Sequence, residues 1–233
     1  MITRVKAALN GGRPVPAPCT PQQIAVEARN AIAAGAFAVH VHPRDASGRE
    51  SLAPGDVAAV LDAVPNAGIT TAAWIEPDPA KRLALIRGWT KLPEFASVNM
   101  DEDGAVAVAE LLLSRGVAIE LGLPTIESSE LMMRSGIWKR ALRVLLEAQE
   151  QTLPAALANV DAIEEIINGC PLPRLLHGFD AMAWPLIAEA AQRKWDTRVG
   201  LEDTLVLPDG SPARNNAQLV EAARSVIARN QHG

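Results

Sequence analysis

The chain has 233 residues, of which 48% are hydrophobic, and a formal net charge of −5. The scattered basic residues argue against a nucleic-acid partner, and the chain lacks the run of about 18 apolar residues that a membrane span requires. Its two cysteines, Cys19 and Cys170, have no metal-type spacing, so we expect a cytoplasmic protein that is stabilised by its core rather than by disulfides.

Strand and helix signals alternate along the chain. Eight apolar segments end at turn residues, which is typical of strands buried on both faces. The sixth is ambiguous, because its leucines and arginines also favour a helix. The predicted strands are Ile2–Leu9, Phe37–His42, Gly68–Ile75, Phe95–Met100, Val117–Leu123, Ala141–Glu147, Arg174–Phe179 and Thr197–Leu201.

The segments between these strands have helical spacing. Thr20-Pro21 predicts an N-cap followed by proline in the first turn, and Asp78-Pro79 and Thr152-Leu153-Pro154 mark two more helix starts. The predicted helices run from Pro21 to about Gly35, over Val57–Val64, from Asp78-Pro79, over Ala105–Ser114, near Ser128–Arg134, from Thr152 to about Asn168, over Ala183–Arg193, and over Asn216–Arg229 with an asparagine cap.

The strict alternation predicts a single α/β domain over residues 1–233, and the length fits a (β/α)8 TIM barrel. A doubly wound open sheet is the alternative. The turn after the first strand, Asn10-Gly11-Gly12-Arg13, lacks the third glycine of a dinucleotide-binding loop.

Two histidines, His40 and His42, lie two residues apart at the end of the second predicted strand. Side chains alternate along a strand, so both rings point to the same face. Two imidazoles on one face can bind one metal ion. The alternative is that one ring bonds a carboxylate and the other packs in the core.

Every strand of the expected apolar barrel ends in a polar side chain. These strand-end residues are Asn10, His40, His42, Thr71, Asn99, Glu120, Glu147, His177, Glu202 and Asp203. In a TIM barrel the catalytic residues come from the carboxyl ends of different strands. We therefore expect a site at that end of the barrel.

Glu202 is the candidate third metal ligand. Strand alternation places Arg198, Gly200 and Glu202 on one face, and a closed barrel brings the eighth strand near the second. Two imidazoles and one carboxylate match a catalytic zinc site with an open position. An ion pair between Glu202 and Arg198 is the alternative. Asp203 directly follows Glu202, so in a continued strand its side chain would point to the opposite face. It reaches the cavity only if the chain leaves the strand near Gly200.

The chain resembles the β-keto acid cleavage enzymes, whose prototype cleaves 3-keto-5-aminohexanoate. The resemblance rests on four segments: Ala8-Leu9-Asn10-Gly11, Val39-His40-Val41-His42-Pro43-Arg44-Asp45, Arg198-Val199-Gly200-Leu201-Glu202-Asp203 and Asn216-Ala217-Gln218-Leu219-Val220-Glu221. It implies a zinc-binding TIM barrel, commonly a tetramer, that converts a β-keto acid and acetyl-CoA into acetoacetate and a new acyl-CoA. Another divalent metal could replace zinc.

The resemblance also implies roles for residues of this chain. The metal ligands are His40, His42 and Glu202, and Asp203 is the catalytic base, held by Arg198. Glu120 is a further catalytic residue. The substrate-binding candidates are Asn10, Arg13, Thr70, Thr71, Ser97, Asn99 and His177. Arg13 replaces an acidic residue of the prototype, and an exposed loop role is the alternative for it.

Two readings without this chemistry stay open. One is a zinc hydrolase of the amidohydrolase kind, which usually recruits two more histidines, and the other is a non-catalytic metal-binding or ligand-binding protein. For the β-keto acid reading, the polar groups expected on strands three and four and Arg13 favour an anionic or hydroxylated acyl tail.

Overall fold

The eight strands form a closed parallel barrel in the order β1 to β8 in a computed structural model, which describes residues 2–13 and 16–230. The strands are β1 Val5–Ala8, β2 Ala38–Val41, β3 Gly68–Thr70, β4 Phe95–Asn99, β5 Ala118–Leu123, β6 Arg143–Ala148, β7 Arg174–Gly178 and β8 Asp196–Val199. Because β1 pairs with both β2 and β8, the sheet has no edge. The TIM-barrel prediction is confirmed, and the open-sheet alternative is wrong.

The helices surround the barrel in alternation with the strands. They are α1 Pro21–Ala33, α2 Pro54–Ala63, α3 Pro79–Arg87, α4 Ala105–Ser114, α5 Ile126–Ser135, α6 Leu153–Ile166, α7 Ala183–Arg193 and α8 Asn216–Asn230. Thr20 caps α1 through a capping box, and Asp78 caps α3, as the sequence predicts. None of the described helices combines the length and apolar character needed to cross a membrane.

β3 and β8 are among the strands that end earlier than predicted. β3 ends at Thr70, because the hydroxyl of Thr71 donates to the carbonyl of Ser97 and the chain then turns. β8 ends at Val199. The backbone N–H groups of Asp203 and Thr204 both donate to the carbonyl of Gly200, so residues 200–204 form a turn rather than a strand.

The half of the barrel interior nearer the amino ends of the strands, here called the lower half, is charged, although an apolar barrel was expected from the sequence. The Lys6 ammonium lies 2.6 Å from a carboxylate oxygen of Glu120, and both side chains are fully buried. Arg143 lies 3.0 Å from the other oxygen of Glu120 and 3.6 Å from Asp196. Arg4 completes the network 2.6 Å from Asp196. The apolar core lies mainly between the barrel and the helices.

Candidate active site

Three potential metal ligands converge at the carboxyl end of the barrel. The Nε2 atoms of His40 and His42 lie 3.0 Å apart. Glu202 places Oε1 3.5 Å from Nε2 of His42 and Oε2 3.7 Å from Nε2 of His40. In the described part of the chain, these three side chains form a group of donors within 4.8 Å of one another.

The spacing of these donors fits one metal ion. Ligand atoms about 2.0–2.2 Å from a tetrahedral zinc lie about 3.3–3.6 Å from one another. The two imidazole nitrogens are 3.0 Å apart, and they lie 3.5 and 3.7 Å from different oxygens of Glu202, so all three side chains are within reach of one ion. Oε2 of Glu202 is buried and has no hydrogen-bond partner among the described residues, so it is free to bind an ion. Burial and the neighbouring charge of His42 hold the pKa of His40 well below its usual value despite Glu202, which keeps this ring neutral as a ligand must be.

His42 is oriented by neighbours on both sides. Its Nδ1 lies 2.5 Å from Oε1 of Glu50. Its backbone N–H donates to Asn10, whose amide also donates to the carbonyl of His42. Trp74 stacks on the imidazole with ring centroids 6.0 Å apart and donates from Nε1 to Glu50. A carboxylate on the second nitrogen of a metal-binding histidine fixes the ring and raises its basicity.

A short hairpin brings Glu50 back to His42. Arg44 and Glu50 form an antiparallel bridge, and the N–H of Ser51 donates to the carbonyl of Pro43. Inside the hairpin, the Asp45 side chain accepts from Ser47 and Arg49. These hydrogen bonds hold the pKa of Asp45 down, to about 2.

The turn that carries Glu202 is held by two arginines. Arg198 lies 2.8 Å from Oε1 of Glu202. Arg13 donates to the backbone carbonyls of Glu202 and Asp203 and pairs with Asp180 at 2.7 Å. The predicted ion pair between Arg198 and Glu202 is therefore present, and it occupies one oxygen of Glu202 while the other faces His40.

A glycine makes room for Glu202. Gly11 has a φ of +50°, and a Cβ at this position would lie 2.4 Å from Cγ of Glu202. Any side chain on residue 11 would therefore displace the Glu202 carboxylate.

Asp203 is paired with Arg198 inside the barrel. Its Oδ1 accepts from Nε and Nη2 of Arg198 at 3.1 and 2.6 Å, while Oδ2 has no partner among the described residues. His177 lies 4.0 Å from Asp203 on one side and 3.4 Å from Glu147 on the other. Burial raises the pKa of Asp203, and the charges of Arg198 and His177 only partly oppose it.

A cavity of about 400 Å³ opens beside these residues. It is lined by Gly11, Gly12, His40, His42, Thr70, Ala73, Trp74, Ser97, Asn99, Asp101, Glu102, Pro124, Glu147, Gln149, Phe179, Arg198 and Glu202. The three candidate metal donors, Arg198 and three of the predicted substrate-binding residues thus surround one space.

Several predicted site residues lie away from the cavity lining. Glu120 lies within the lower ion network, paired with Lys6 and Arg143. Of the other five, Asn10 and Arg13 bind backbone carbonyls, and Thr71 donates to the carbonyl of Ser97 on β4. His177 and Asp203 are fully buried, and Asp203 is paired with the lining residue Arg198.

Lining and supporting residues that were not predicted from the sequence include Glu50, Trp74, Asp101 and Glu102. Glu50 and Trp74 support His42 from loops, where no periodic pattern connects them to the histidines. Asp101 and Glu102 lie two and three residues after the end of β4. Their position after a strand end is the signal that could have identified them.

Comparison with known proteins shows both a family and a fold. A family model described as beta-keto acid cleavage enzyme matches residues 3–232. No curated protein matches the chain.

Solved TIM-barrel structures align over nearly the whole chain. The 3-hexulose-6-phosphate synthase of Salmonella typhimurium is 12% identical with a TM-score of 0.59, covering 98% of this chain and 100% of that one. The 3-keto-L-gulonate-6-phosphate decarboxylase of Vibrio cholerae is 13% identical with a TM-score of 0.59, covering 99% of each chain. The 3-dehydroquinate dehydratase of Geobacillus kaustophilus is 12% identical with a TM-score of 0.63, covering 99% of this chain and 91% of that one.

These findings correct the resemblance to the prototype. The solved structures described above are sugar-phosphate and dehydroquinate enzymes, so the predicted likeness to the enzyme that cleaves 3-keto-5-aminohexanoate was wrong. At such low identity they share the fold alone. The link to β-keto acid cleavage rests on the family model.

Proposed function

The chain belongs to the beta-keto acid cleavage enzyme family, and from this premise we propose that it converts a β-keto acid and acetyl-CoA into acetoacetate and a new acyl-CoA. The observation that carries the proposal is the convergence of two imidazoles and one carboxylate beside a buried arginine–aspartate pair at one cavity. Metal donors and a base are the two elements that this chemistry requires.

We assign the metal position to His40, His42 and Glu202. Two neutral nitrogen donors and one oxygen donor suit zinc, although another divalent ion can occupy such a site. A bound zinc ion would act as a Lewis acid on the keto oxygen of the substrate.

Asp203 accepts the proton from the carbon between the keto group and the carboxylate. Arg198 fixes one oxygen of Asp203, and the unpartnered Oδ2 is the proton acceptor. Because burial raises the pKa of Asp203, this carboxylate is a stronger base than an aspartate in water. Arg198 itself lines the cavity, so the pair lies next to the substrate space.

The remaining steps of the reaction need no further reactant. The deprotonated carbon attacks the acetyl carbonyl of acetyl-CoA, and CoA thiolate leaves. The thiolate then adds to the original keto carbon, and the bond between that carbon and the central carbon breaks. Asp203 returns its proton to the central carbon, which gives acetoacetate. Thr70, Ser97 and Asn99 line the cavity and offer hydrogen bonds that orient the substrate.

The test is incubation of zinc-loaded protein with acetyl-CoA and a panel of β-keto acids, with both products measured by mass. We expect acyl-CoA and acetoacetate in equal amounts, and loss of both when a chelator is added. Hydrolysis of a substrate without consumption of acetyl-CoA would instead favour the hydrolase reading. Tight ligand binding without any turnover would favour a binding protein.

Asp203→Asn tests the base. The fold and the bound zinc should persist while turnover falls by at least about 10²-fold, the usual scale for a general base. Asp209→Asn, in an exposed turn, is the matched control and should leave turnover unchanged. Near-normal turnover in Asp203→Asn would assign the base to another carboxylate.

A further inference from the structure

A second cavity, here called the amino-end cavity, lies at the end of the barrel opposite the candidate active site. Its volume is about 710 Å³, which is within the range of small-molecule pockets. Its wall includes the first residues of three strands, Ala38 of β2, Phe95 of β4 and Arg143 of β6. One side of α1 and the end of α2 complete it.

We propose that the amino-end cavity is a second ligand site, which binds a small monocarboxylate with an apolar tail. Arg143 binds the carboxylate, and the tail lies along α1. This inference does not depend on the proposed function, because the described lining of the amino-end cavity contains neither the candidate metal donors nor Asp203.

The wall that would hold the tail is mainly apolar. Its apolar side chains include Ala28, Ile32, Phe37, Val39, Val64 and Leu142. Ile32 is 47% exposed and Leu142 is 39% exposed, so the fold itself leaves part of this apolar surface uncovered. A hydrocarbon chain along the wall would remove that surface from water, which is favourable.

The inner end of the amino-end cavity has an excess of positive charge. The ion network in the lower half of the barrel contains three cations, Arg4, Lys6 and Arg143, but two carboxylates, those of Glu120 and Asp196. One positive charge therefore has no counter-ion within this network. An excess of one sign in a cavity favours a ligand of the opposite sign.

The charges at the rim do not cancel this excess. Arg29 and Glu94 line the amino-end cavity, but both are exposed and their charges are opposite. Inside the barrel, burial lowers the pKa of Lys6, and the charges of Arg198 and Arg143 lower it further against the attraction of Glu120. The cations of the network therefore repel one another, and an anion beside Arg143 would reduce that repulsion.

Arg143 has donors to offer to that anion. Its side chain lines the amino-end cavity and is 10% exposed. Glu120 lies 3.0 Å from its Nε and Asp196 3.6 Å from its Nη1, but neither contact has the geometry of a hydrogen bond, and both nitrogens lack a partner among the described residues. Buried donors normally have partners, and a carboxylate matches the guanidinium fork.

Phe37 positions the guanidinium of Arg143 without using its donors. The guanidinium carbons of Arg4 and Arg143 lie 4.4 and 4.9 Å from the centroid of this ring, which also lines the amino-end cavity. Such contacts with the face of a ring are electrostatic and leave the N–H groups available. Arg143 is therefore held in place while its N–H groups can donate to a ligand.

The experiment uses three probes with the same alkyl chain: octanoate, octanol and octylammonium. Binding of each to the full chain is measured by calorimetry, with and without a chelator that removes any metal from the other end of the barrel. We expect octanoate to bind more tightly than octanol by roughly 10- to 100-fold, the scale of a hydrogen bond to a charged group, and octylammonium to bind more weakly than octanol. The chelator should leave these affinities unchanged.

Two variants assign the carboxylate to Arg143. Arg143→Met removes the guanidinium and should bring the octanoate-to-octanol ratio close to one. Arg87→Met removes the same charge from an exposed position on α3 and should leave the ratio unchanged. Thermal unfolding checks that each variant is folded. If Arg143→Met does not fold, Arg143→Lys provides the test, because it keeps the charge but loses the fork and should lower the ratio in part.

A third variant assigns the tail to α1. Ile32→Ser should weaken the binding of octanoate and octanol by the same factor, roughly 3- to 10-fold, because it removes apolar wall but no charge. Val26→Ser is the matched control, since Val26 is also an exposed apolar residue of α1 but lies outside the described lining. It should leave both affinities unchanged.

Several outcomes would overturn the inference. They are equal binding of octanoate and octanol, tighter binding of octylammonium, loss of octanoate binding in the chelator, or a ratio that the folded Arg143 variant leaves unchanged. Failure of all three probes to bind would also overturn it. If Ile32→Ser then also changed the mass of the protein in solution, the apolar wall would be assigned to contact with a second copy of the chain.

Discussion

Glu50→Gln is the change that tests most sharply how His42 is prepared as a metal ligand. The two oxygens of Glu50 accept from two different donors, Nδ1 of His42 at 2.5 Å and Nε1 of Trp74 at 3.2 Å. Glutamine has one acceptor oxygen, and its amide nitrogen is a donor. In the variant, one of the two N–H groups therefore faces another donor.

The expected loss follows from the burial of this contact. Removal of an outer-shell partner of a metal-binding histidine typically lowers metal affinity by about 10- to 100-fold, which corresponds to about 1.4–2.7 kcal/mol. The His42 side chain is only 2% exposed, so water has little access to replace the lost acceptor. We therefore expect a loss of zinc affinity near the upper end of this range.

Competition with a chromophoric chelator measures that affinity. Burial lowers the pKa of His42, but Glu202 and Glu50 raise it to about 9 overall. Below this pH, protons compete with zinc for His42, and Glu50→Gln weakens that competition by lowering the pKa. The loss should therefore be fully expressed only above pH 9 and appear smaller at neutral pH.

Trp74 provides the matched control. Trp74→Phe keeps an aromatic ring beside His42 but removes the indole N–H, so it should change zinc affinity little. Combined with Glu50→Gln, it should restore part of the loss, because the glutamine oxygen then has a single donor to accept. An affinity of Glu50→Gln equal to that of the unmodified protein above pH 9 would refute the role assigned to Glu50.

Two further predictions concern space and charge in the barrel. Gly11→Ala should weaken zinc binding by displacing the ligand carboxylate, whereas Gly48→Ala, which also has a positive φ (+84°) but no atom within 4 Å of a Cβ, should leave it unchanged. Equal zinc titrations for both variants would contradict this. Lys6→Met should lower the free energy of unfolding by about 3–5 kcal/mol in urea denaturation, because it leaves the buried Glu120 charge without its ammonium partner. Adding Glu120→Gln should recover part of that loss, and a purely additive double variant would show that the two side chains are not coupled.

The barrel could be predicted from sequence because its signals are local. Each strand is a short apolar run, and capping residues such as Thr20 and Asp78 identify helix starts without knowledge of the fold. The end of β8 was predicted only as a condition: Asp203 could reach the cavity if the chain left the strand near Gly200. The structure has that turn, and it brings Glu202 and Asp203 together on Arg198.

Side-chain partners across the barrel could not be predicted in the same way. Glu120 was placed with the catalytic residues because it was counted among the strand ends and because the family resemblance implied that role. Its depth in the barrel follows from the register of β5 against β4 and β6, which pairs it with Ser97 and Arg143. A local pattern does not contain that register. The same limit applies to Glu50, whose contact with His42 depends on a hairpin in a loop.

Zinc, acetyl-CoA and the tetramer remain proposals. The metal is testable by titration, the co-substrate by product analysis, and the tetramer by the mass of the protein in solution. None of them follows from the barrel, because a TIM barrel supports many unrelated reactions.

The metal donors also lie across the seam of the barrel. β1 pairs with β8 on one side and β2 on the other, and this contact between the two ends of the chain is what closes the sheet. His40 belongs to β2, while Glu202 lies just beyond β8, so an ion shared by these side chains bridges the seam. An unfolded chain holds these residues about 160 positions apart and cannot present the same set of donors. A metal bound at these side chains would therefore link its binding to closure of the barrel, and the free metal concentration would set part of the stability of the fold.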